Sequence, residues 1–320
     1  MLLAAIEFRF DPLIHLGDWA VRWETLAIGG AILTGLVVAG LLAGRSRLGT
    51  HRDDPAGTVD HLRRDDILFI AVGVVPGAVL GGRLAYVALH LDYYSAFPAA
   101  IVDPASGGLA LSGGVLLGAL SGGFVARLFD APVGRWYGIA VWPMLLILAL
   151  GKAANVLGGS GQGVSSNLDW ATRYLGPGPW GSLGPDVASI PAQAYEAVGV
   201  AVVLLILAAA WGLGLFRGRD GRIFPVALAG WAVVRLEVVA TWRDPVVLGP
   251  FRAEQLIDLA IVGLALLAYL GLVVRARRAP GRSVGPAPSA GLPSSVGAAP
   301  PESATTPDLG WPDPDPRRRP

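Results

Sequence analysis

Residues 136–158 read WYGIAVWPMLLILALGKAANVLG. From Trp136 through Leu150 there is no charge, and the apolar run is continuous rather than alternating. At 1.5 Å per residue, a helix of this length spans ~35 Å, against a bilayer core of ~30 Å. A barrel strand would be about 10 residues long with alternating polarity. The stretch therefore reads as a membrane helix, the form that satisfies its own backbone in lipid. Near its end it carries Lys152 and Asn155, two residues that lipid does not accept without a reason.

Working outward, six more runs of this kind appear: Leu26–Gly44, Ile67–Leu89, Gly108–Phe129, Pro191–Phe216, Ile223–Trp242 and Leu256–Val274. The expected fold class is an all-α polytopic membrane protein with seven transmembrane helices. Whole-chain numbers agree. Of 320 residues, 53% are hydrophobic and 15% charged, against a typical ~25% charged. Net charge is +1 with no basic stripe, so nucleic acid is not an expected partner. With no cysteine and four histidines, neither a thiolate metal site nor a cysteine nucleophile is available; no metal and no cofactor are expected.

Arginines set the orientation. Arg45, Arg47, Arg52, Arg63, Arg64, Arg127, Arg135, Arg217, Arg219, Arg222, Arg275, Arg277, Arg278 and Arg282 fall on one side, fourteen in all. Arg9, Arg22, Arg173, Arg243 and Arg252 fall on the other. The rich side belongs in the cytoplasm, which gives N-out and C-in. The first 25 residues show no signal-peptide pattern, since Glu7, Arg9, Asp11 and Asp18 break any apolar stretch. Residues 1–278 are expected to form the membrane domain, including an outer head loop at 159–190. Residues 279–320 hold 11 of the 25 prolines and read as a disordered cytoplasmic tail.

Charges inside the spans mark the candidate site. They are Glu24, Arg83, Lys152, Glu196, Arg235 and Glu237, joined by Asn155, Gln193 and, at the outer end of span 6, Arg243. The charge-derived orientation puts them in the outer half. Lys152 is the only lysine beside 24 arginines. The reading expects Arg83, Lys152, Asn155, Gln193, Glu196 and Arg235 in one pocket open toward lipid. With three cations and one carboxylate, it would suit an anionic lipid phosphate. Gly113 and Gly114 permit close helix packing and could also let a headgroup approach the backbone. No internal repeat is found, which disfavours a small-solute transporter.

In order along residues 8–274, the motifs resemble the bacterial prolipoprotein diacylglyceryl transferase family. Phe10-Asp11-Pro12 and Trp23 resemble its opening segment, and Gly81-Gly82-Arg83-Leu84-Ala85-Tyr86 its G-[GA]-R-x-x-Y stretch. Gly107 through Gly114 resembles the segment carrying a His-Gly-Gly, and Gly151-Lys152-Ala153-Ala154-Asn155 the start of G-R-x-G-N-x-x-N-x-E. Pro191-Ala192-Gln193-Ala194-Tyr195-Glu196 matches P-x-Q-x-Y-E, Arg235 with Trp242-Arg243-Asp244-Pro245 resembles the span 6 pattern, and Glu254-Gln255 stands where a Gly-Gln opens the last span. The departures are Ser112 for the histidine, Lys152 for the signature arginine, Gly158 and Ser160 for the later asparagine and glutamate, Ile190 for a histidine, and Glu24 for a tyrosine. The Arg235–Arg243 spacing is one residue longer than the family's.

The resemblance implies transfer of the diacylglyceryl group of phosphatidylglycerol to the lipobox cysteine of a prolipoprotein signal peptide. It also implies a bacterial plasma (inner) membrane location; a monomer is expected. It assigns Lys152, Glu196 and Arg235 to catalysis, and Arg83, Tyr86, Ser112, Gly113, Gly114, Asn155, Gln193 and Arg243 to binding the lipid. A base must take the thiol proton. Ser112 cannot do so unaided, whereas Glu24 or Glu196 could. Two outcomes stay open at this point: a working or weakened transferase, and a paralogue that binds phospholipid or lipoprotein precursor without catalysis.

Overall fold

The structure is a computed structural model that describes residues 5–45, 66–103, 108–216 and 221–278. Arg47, Arg52, Arg63, Arg64, Arg217, Arg219 and Arg282, Gly107 and the segment 279–320 lie outside the described residues.

Each of the seven apolar runs becomes a long helix. These are α1 (Trp23–Arg45), α2 (Asp66–Leu89), α4 (Leu111–Leu128), α5 (Val133–Gly158), α6 (Ala192–Gly212), α7 (Ile223–Val239) and α8 (Ala253–Arg278), with a short α3 (Leu91–Ala96) after α2. Six of them are long and apolar enough to cross a membrane. The other, α7, has 17 residues and carries Arg235.

Boundaries move where the backbone changes hand. The expected start at Gly108 shifts to Leu111 because Gly108 has φ +75°, outside the helical region. The helix expected to reach Phe216 stops at Gly212, ahead of Gly214 at φ 90° and Phe216 at φ 61°. Gly159, left-handed at φ 79°, terminates α5.

In lipid, apolar side chains need not be hidden, and they are not. Leu33, Leu68, Val72, Leu205 and Leu267 point outward from the bundle. The buried core instead surrounds α7. Ala227, Trp231 and Ala232 pack there with Val141 and Leu145 of α5, Val200 of α6 and Ile261 of α8, all fully enclosed. A central helix needs little lipid-facing surface, which is why α7 tolerates a charge. On the other flank α2 and α4 pack through glycines. A Cβ at Gly113 would meet the Gly81 carbonyl, and one at Gly114 would come 3.2 Å from the Ala78 carbonyl. Both glycines thus turn their Cα faces against α2, where they let the two helices pack closely.

The helices alternate in direction, so the starts of α1, α4, α6 and α8 and the ends of α2, α5 and α7 share one end of the bundle. Small β elements gather there. β1 (Ile6–Phe8) runs parallel to β4 (Thr172–Tyr174), β2 (Leu13–Leu16) pairs with β3 (Trp19–Arg22), and β5 (Val246–Leu248) with β6 (Phe251–Arg252). Aromatic rings bind this head together. Phe8 stacks on Tyr174 at 4.9 Å, and Trp180 lies 4.8 Å from Tyr174 and 5.2 Å from Phe10. The Tyr174 hydroxyl donates to the Val156 carbonyl at 2.9 Å, fastening the α5–α6 connection onto the end of α5. Burial pushes that phenol up to about 12.

Candidate functional site

Arg235 is the centre of the polar residues and is fully buried. A guanidinium there costs several kcal/mol unless paired and hydrogen-bonded. Three carboxylates meet it. Nη1 lies 3.2 Å from Glu196 Oε1, Nε lies 3.3 Å from Asp258 Oδ1, and Nη2 pairs with Glu254 Oε2. Lys152 Nζ reaches the other oxygen of Glu196 at 2.8 Å. Glu196 therefore carries a cation on each oxygen. The Trp242 ring lies 5.3 Å from the Arg235 guanidinium and 5.7 Å from the Lys152 ammonium, with Trp231 5.6 Å from Arg235 on α7 itself. From α4, the Ser112 hydroxyl donates to Asp258 Oδ1 at 2.9 Å and lies 3.4 Å from Glu254 Oε2.

Five helices thus contribute to one group. α5 gives Lys152, α6 Glu196, α7 Arg235, α8 Glu254 and Asp258, and α4 Ser112. The expected convergence of Lys152, Glu196 and Arg235 is what the structure contains. The expected charge balance is corrected: the group holds two cations and three carboxylates, not three cations and one. It is also closed rather than open toward lipid. Arg235 and Asp258 side chains are 0% exposed, and the most exposed members are Glu254 at 17% and Lys152 at 14%. Asp258 and Glu254 are the residues that sequence reasoning missed as a pair. The signal was present: they are four apart, on one face of the last helix, and Asp258 is a carboxylate within an apolar run.

The remaining candidates occupy separate positions. Arg83 is held in the connection between α2 and α4. Its Nε donates to Ile101 O at 2.8 Å, Nη1 to Gly108 O at 3.2 Å, and Nη2 to Ala100 O and to Asp103 O at 3.3 Å. The Tyr94 ring lies 5.3 Å from its guanidinium, and Tyr86 stacks on His90 beside Tyr94. Arg83 and Tyr86 therefore shape a loop instead of joining Arg235. The physical reason is that the four carbonyls of that loop match the guanidinium fork.

Asn155, with its amide nitrogen turned to Glu24, donates to Glu24 Oε1 at 3.2 Å and to Gly151 O at 3.0 Å. Glu24 also accepts from Ser160 Oγ at 3.1 Å. A Cβ on Gly158 would occupy the Glu24 carboxylate position, so that glycine makes room for it. Gln193 donates to the Tyr174 hydroxyl at 3.2 Å, while its Oε1 is buried with no hydrogen-bond partner among the described residues. Arg243 sits in the head, donating to Gly163 O and Ser189 Oγ, both at 2.9 Å. It lines a cleft of about 180 Å³ with Gln162, Ser182 and Trp242. Trp242 is common to this cleft and to the Arg235 group. Glu237 is exposed on the far face of α7.

A family model described as prolipoprotein diacylglyceryl transferase matches residues 12–270. Among curated proteins, the phosphatidylglycerol–prolipoprotein diacylglyceryl transferase of Paramagnetospirillum magneticum is 31% identical over 281 residues, covering 84% of this chain and 97% of its own length. The protein of the same description from Trichormus variabilis is 27% identical over 275 residues, covering 84% and 91%. That from Bacillus mycoides is 29% identical over 286 residues, covering 86% and 95%.

Proposed function

Because this chain belongs to the prolipoprotein diacylglyceryl transferase family, we propose that it transfers the diacylglyceryl group of phosphatidylglycerol to the lipobox cysteine of a prolipoprotein. The thiolate forms a C–S bond to the glycerol carbon, the C–O bond to phosphate breaks, and glycerol phosphate leaves. The observation that carries this reading is the Lys152–Glu196–Arg235 group, built from three helices at the end of the bundle where the head sits. Arg243 in the cleft and Lys152 beneath Trp242 receive the phosphate. Arg235, locked by its carboxylates, fixes the positions of Glu196 and, through it, Lys152. Arg83 orders the loop that leads into α4. Preorganised charge of this kind lowers the barrier without reorganising when the phosphate departs.

The same reading sets the chain in a bacterial inner membrane as a monomer, with all seven long helices spanning, the N-terminus and head outside and residues 279–320 in the cytoplasm. Although α7 is short, it is enclosed by α5, α6 and α8, which carry it through the bilayer. Purified protein in phosphatidylglycerol vesicles, given a lipobox peptide, should release glycerol phosphate. Lipid binding with no release would favour the non-catalytic paralogue.

A further inference from the structure

The transfer needs a group that accepts the thiol proton, and Glu196 is not that group. Each of its oxygens already faces a cation, Lys152 at 2.8 Å and Arg235 at 3.2 Å. Glu24 is likewise engaged, by Ser160 and Asn155. The remaining carboxylates of the buried group are Glu254 and Asp258 on α8. They share one cation, Arg235, and one hydroxyl, Ser112. Asp258 Oδ2 is buried with no hydrogen-bond partner among the described residues, on a side chain that is 0% exposed. A buried carboxylate oxygen in that state is costly, and a proton on it lowers the cost by removing the charge.

Charge leads to the same place. Ser112 from α4 and Arg235 from α7 face the pair directly, and Arg235 links it to Glu196 from α6 and, through Glu196, to Lys152 from α5. Two cations against three carboxylates leave one excess negative charge away from water. Uptake of one proton brings the group to neutrality. Fully paired carboxylates would have no such capacity.

Resting on the transferase reading, we infer that Glu254 and Asp258, bridged by the Ser112 hydroxyl, are the proton acceptor for the substrate thiol. Glu254 is the more exposed of the two at 17% and meets the thiol. The S–H proton passes to Glu254. The Ser112 hydroxyl, donating to Asp258 Oδ1 at 2.9 Å and lying 3.4 Å from Glu254 Oε2, holds the two carboxylates side by side, so that the proton is taken up by the pair and its excess charge is removed. The thiolate electron pair forms the C–S bond, and the phosphate oxygen keeps the pair of the broken C–O bond. The proton then leaves with glycerol phosphate, and the carboxylates return to their starting state.

The test is the rate of diacylglyceryl transfer to a lipobox peptide from phosphatidylglycerol vesicles, with folding followed by thermal unfolding. Glu254→Gln and Asp258→Asn should each lower kcat by about 100-fold or more, the scale of general base catalysis, with KM for the lipid unchanged. Ser112→His placed in the Asp258→Asn background should restore transfer, and the acid limb of its pH profile should shift, because imidazole and carboxyl lose protons at different pH. If Asp258→Asn does not fold, Glu254→Gln decides alone. Transfer at the native rate by either folded variant overturns the inference and leaves the transferase reading standing. Loss of transfer without rescue by Ser112→His assigns both carboxylates to holding Arg235 and also overturns it. A native protein that transfers nothing overturns the transferase reading, and this inference with it.

Discussion

The Ser112 hydroxyl donates to Asp258 Oδ1 at 2.9 Å across 146 residues of sequence, tying the start of α4 to the start of α8. The bond adds a polar tie to the apolar packing of Leu111, Val115, Leu116 and Ala119 of α4 against the core around α7. It also places a polar group from the glycine-rich helix beside the only fully enclosed arginine among the described residues. Function and architecture therefore depend on the same few atoms, and each can be probed separately.

Arg235→Leu would leave Glu196, Glu254 and Asp258 facing one another with only Lys152 nearby. Breaking a buried pair from one side costs roughly 3–5 kcal/mol. Thermal unfolding in detergent should show a large fall in midpoint. Arg235→Lys should lose less stability, since charge is kept while the three-way fork is lost. An unfolding midpoint for Arg235→Leu equal to that of the native protein would mean the carboxylates are not held by this residue.

Lys152→Ala removes the ammonium beside Trp242 while leaving Arg235 on Glu196. A hydrogen bond to a charged group contributes about 1.5–3 kcal/mol. If Lys152 holds the departing phosphate, kcat should fall by about 10–150-fold. Lys152→Arg should retain most of the rate, since it keeps the charge and adds a fork. Steady-state kinetics on both variants distinguishes this from a packing role, in which the longer Arg would be the more harmful change.

Gly113→Val adds a branched side chain where the Gly81 carbonyl and Ala85 already sit. Overpacking of this kind costs about 1–3 kcal/mol. The variant should unfold earlier, and a small-to-small change, Gly113→Ala, should be the milder of the two. Lipid binding measured on folded Gly113→Ala protein should match the native value, because the residue is turned to α2.

Acid should release the first strand of the head. Hydrogen bonds from Arg173, then Arg9, hold the Glu7 carboxyl below its ordinary value of 4.5. A lowered folded-state value means that the contribution is complete above the unfolded value and is lost as pH falls through the folded one. β1 should therefore stay paired with β4 at neutral pH and come away only in acid, as pH falls through the lowered folded-state value of the carboxylate. Trp180 fluorescence reports the change through Phe10. Glu7→Gln should abolish the acid-dependent step.

The helices were legible because bilayer thickness writes itself into run length, and every apolar run became a helix. Lys152, Glu196 and Arg235 were legible as a group because lipid leaves charged residues no other partners. The destination of Arg83 was not legible. It depends on a loop whose carbonyls, at Ala100, Ile101, Asp103 and Gly108, converge only after folding. Asp258 was overlooked inside its apolar run, although its spacing from Glu254 puts both on one helical face. With it went the charge balance, since three carboxylates around two cations describe a different site from three cations around one carboxylate.

The most direct measurement is the mass of a lipobox peptide after incubation with the purified protein and phosphatidylglycerol vesicles. The peptide should gain one diacylglyceryl group on its cysteine. A Cys→Ser peptide should gain nothing, and the product should be lost with folded Arg235→Lys or Glu254→Gln protein. A cysteine peptide of unchanged mass, in vesicles where the protein demonstrably binds phosphatidylglycerol, would contradict the transferase reading.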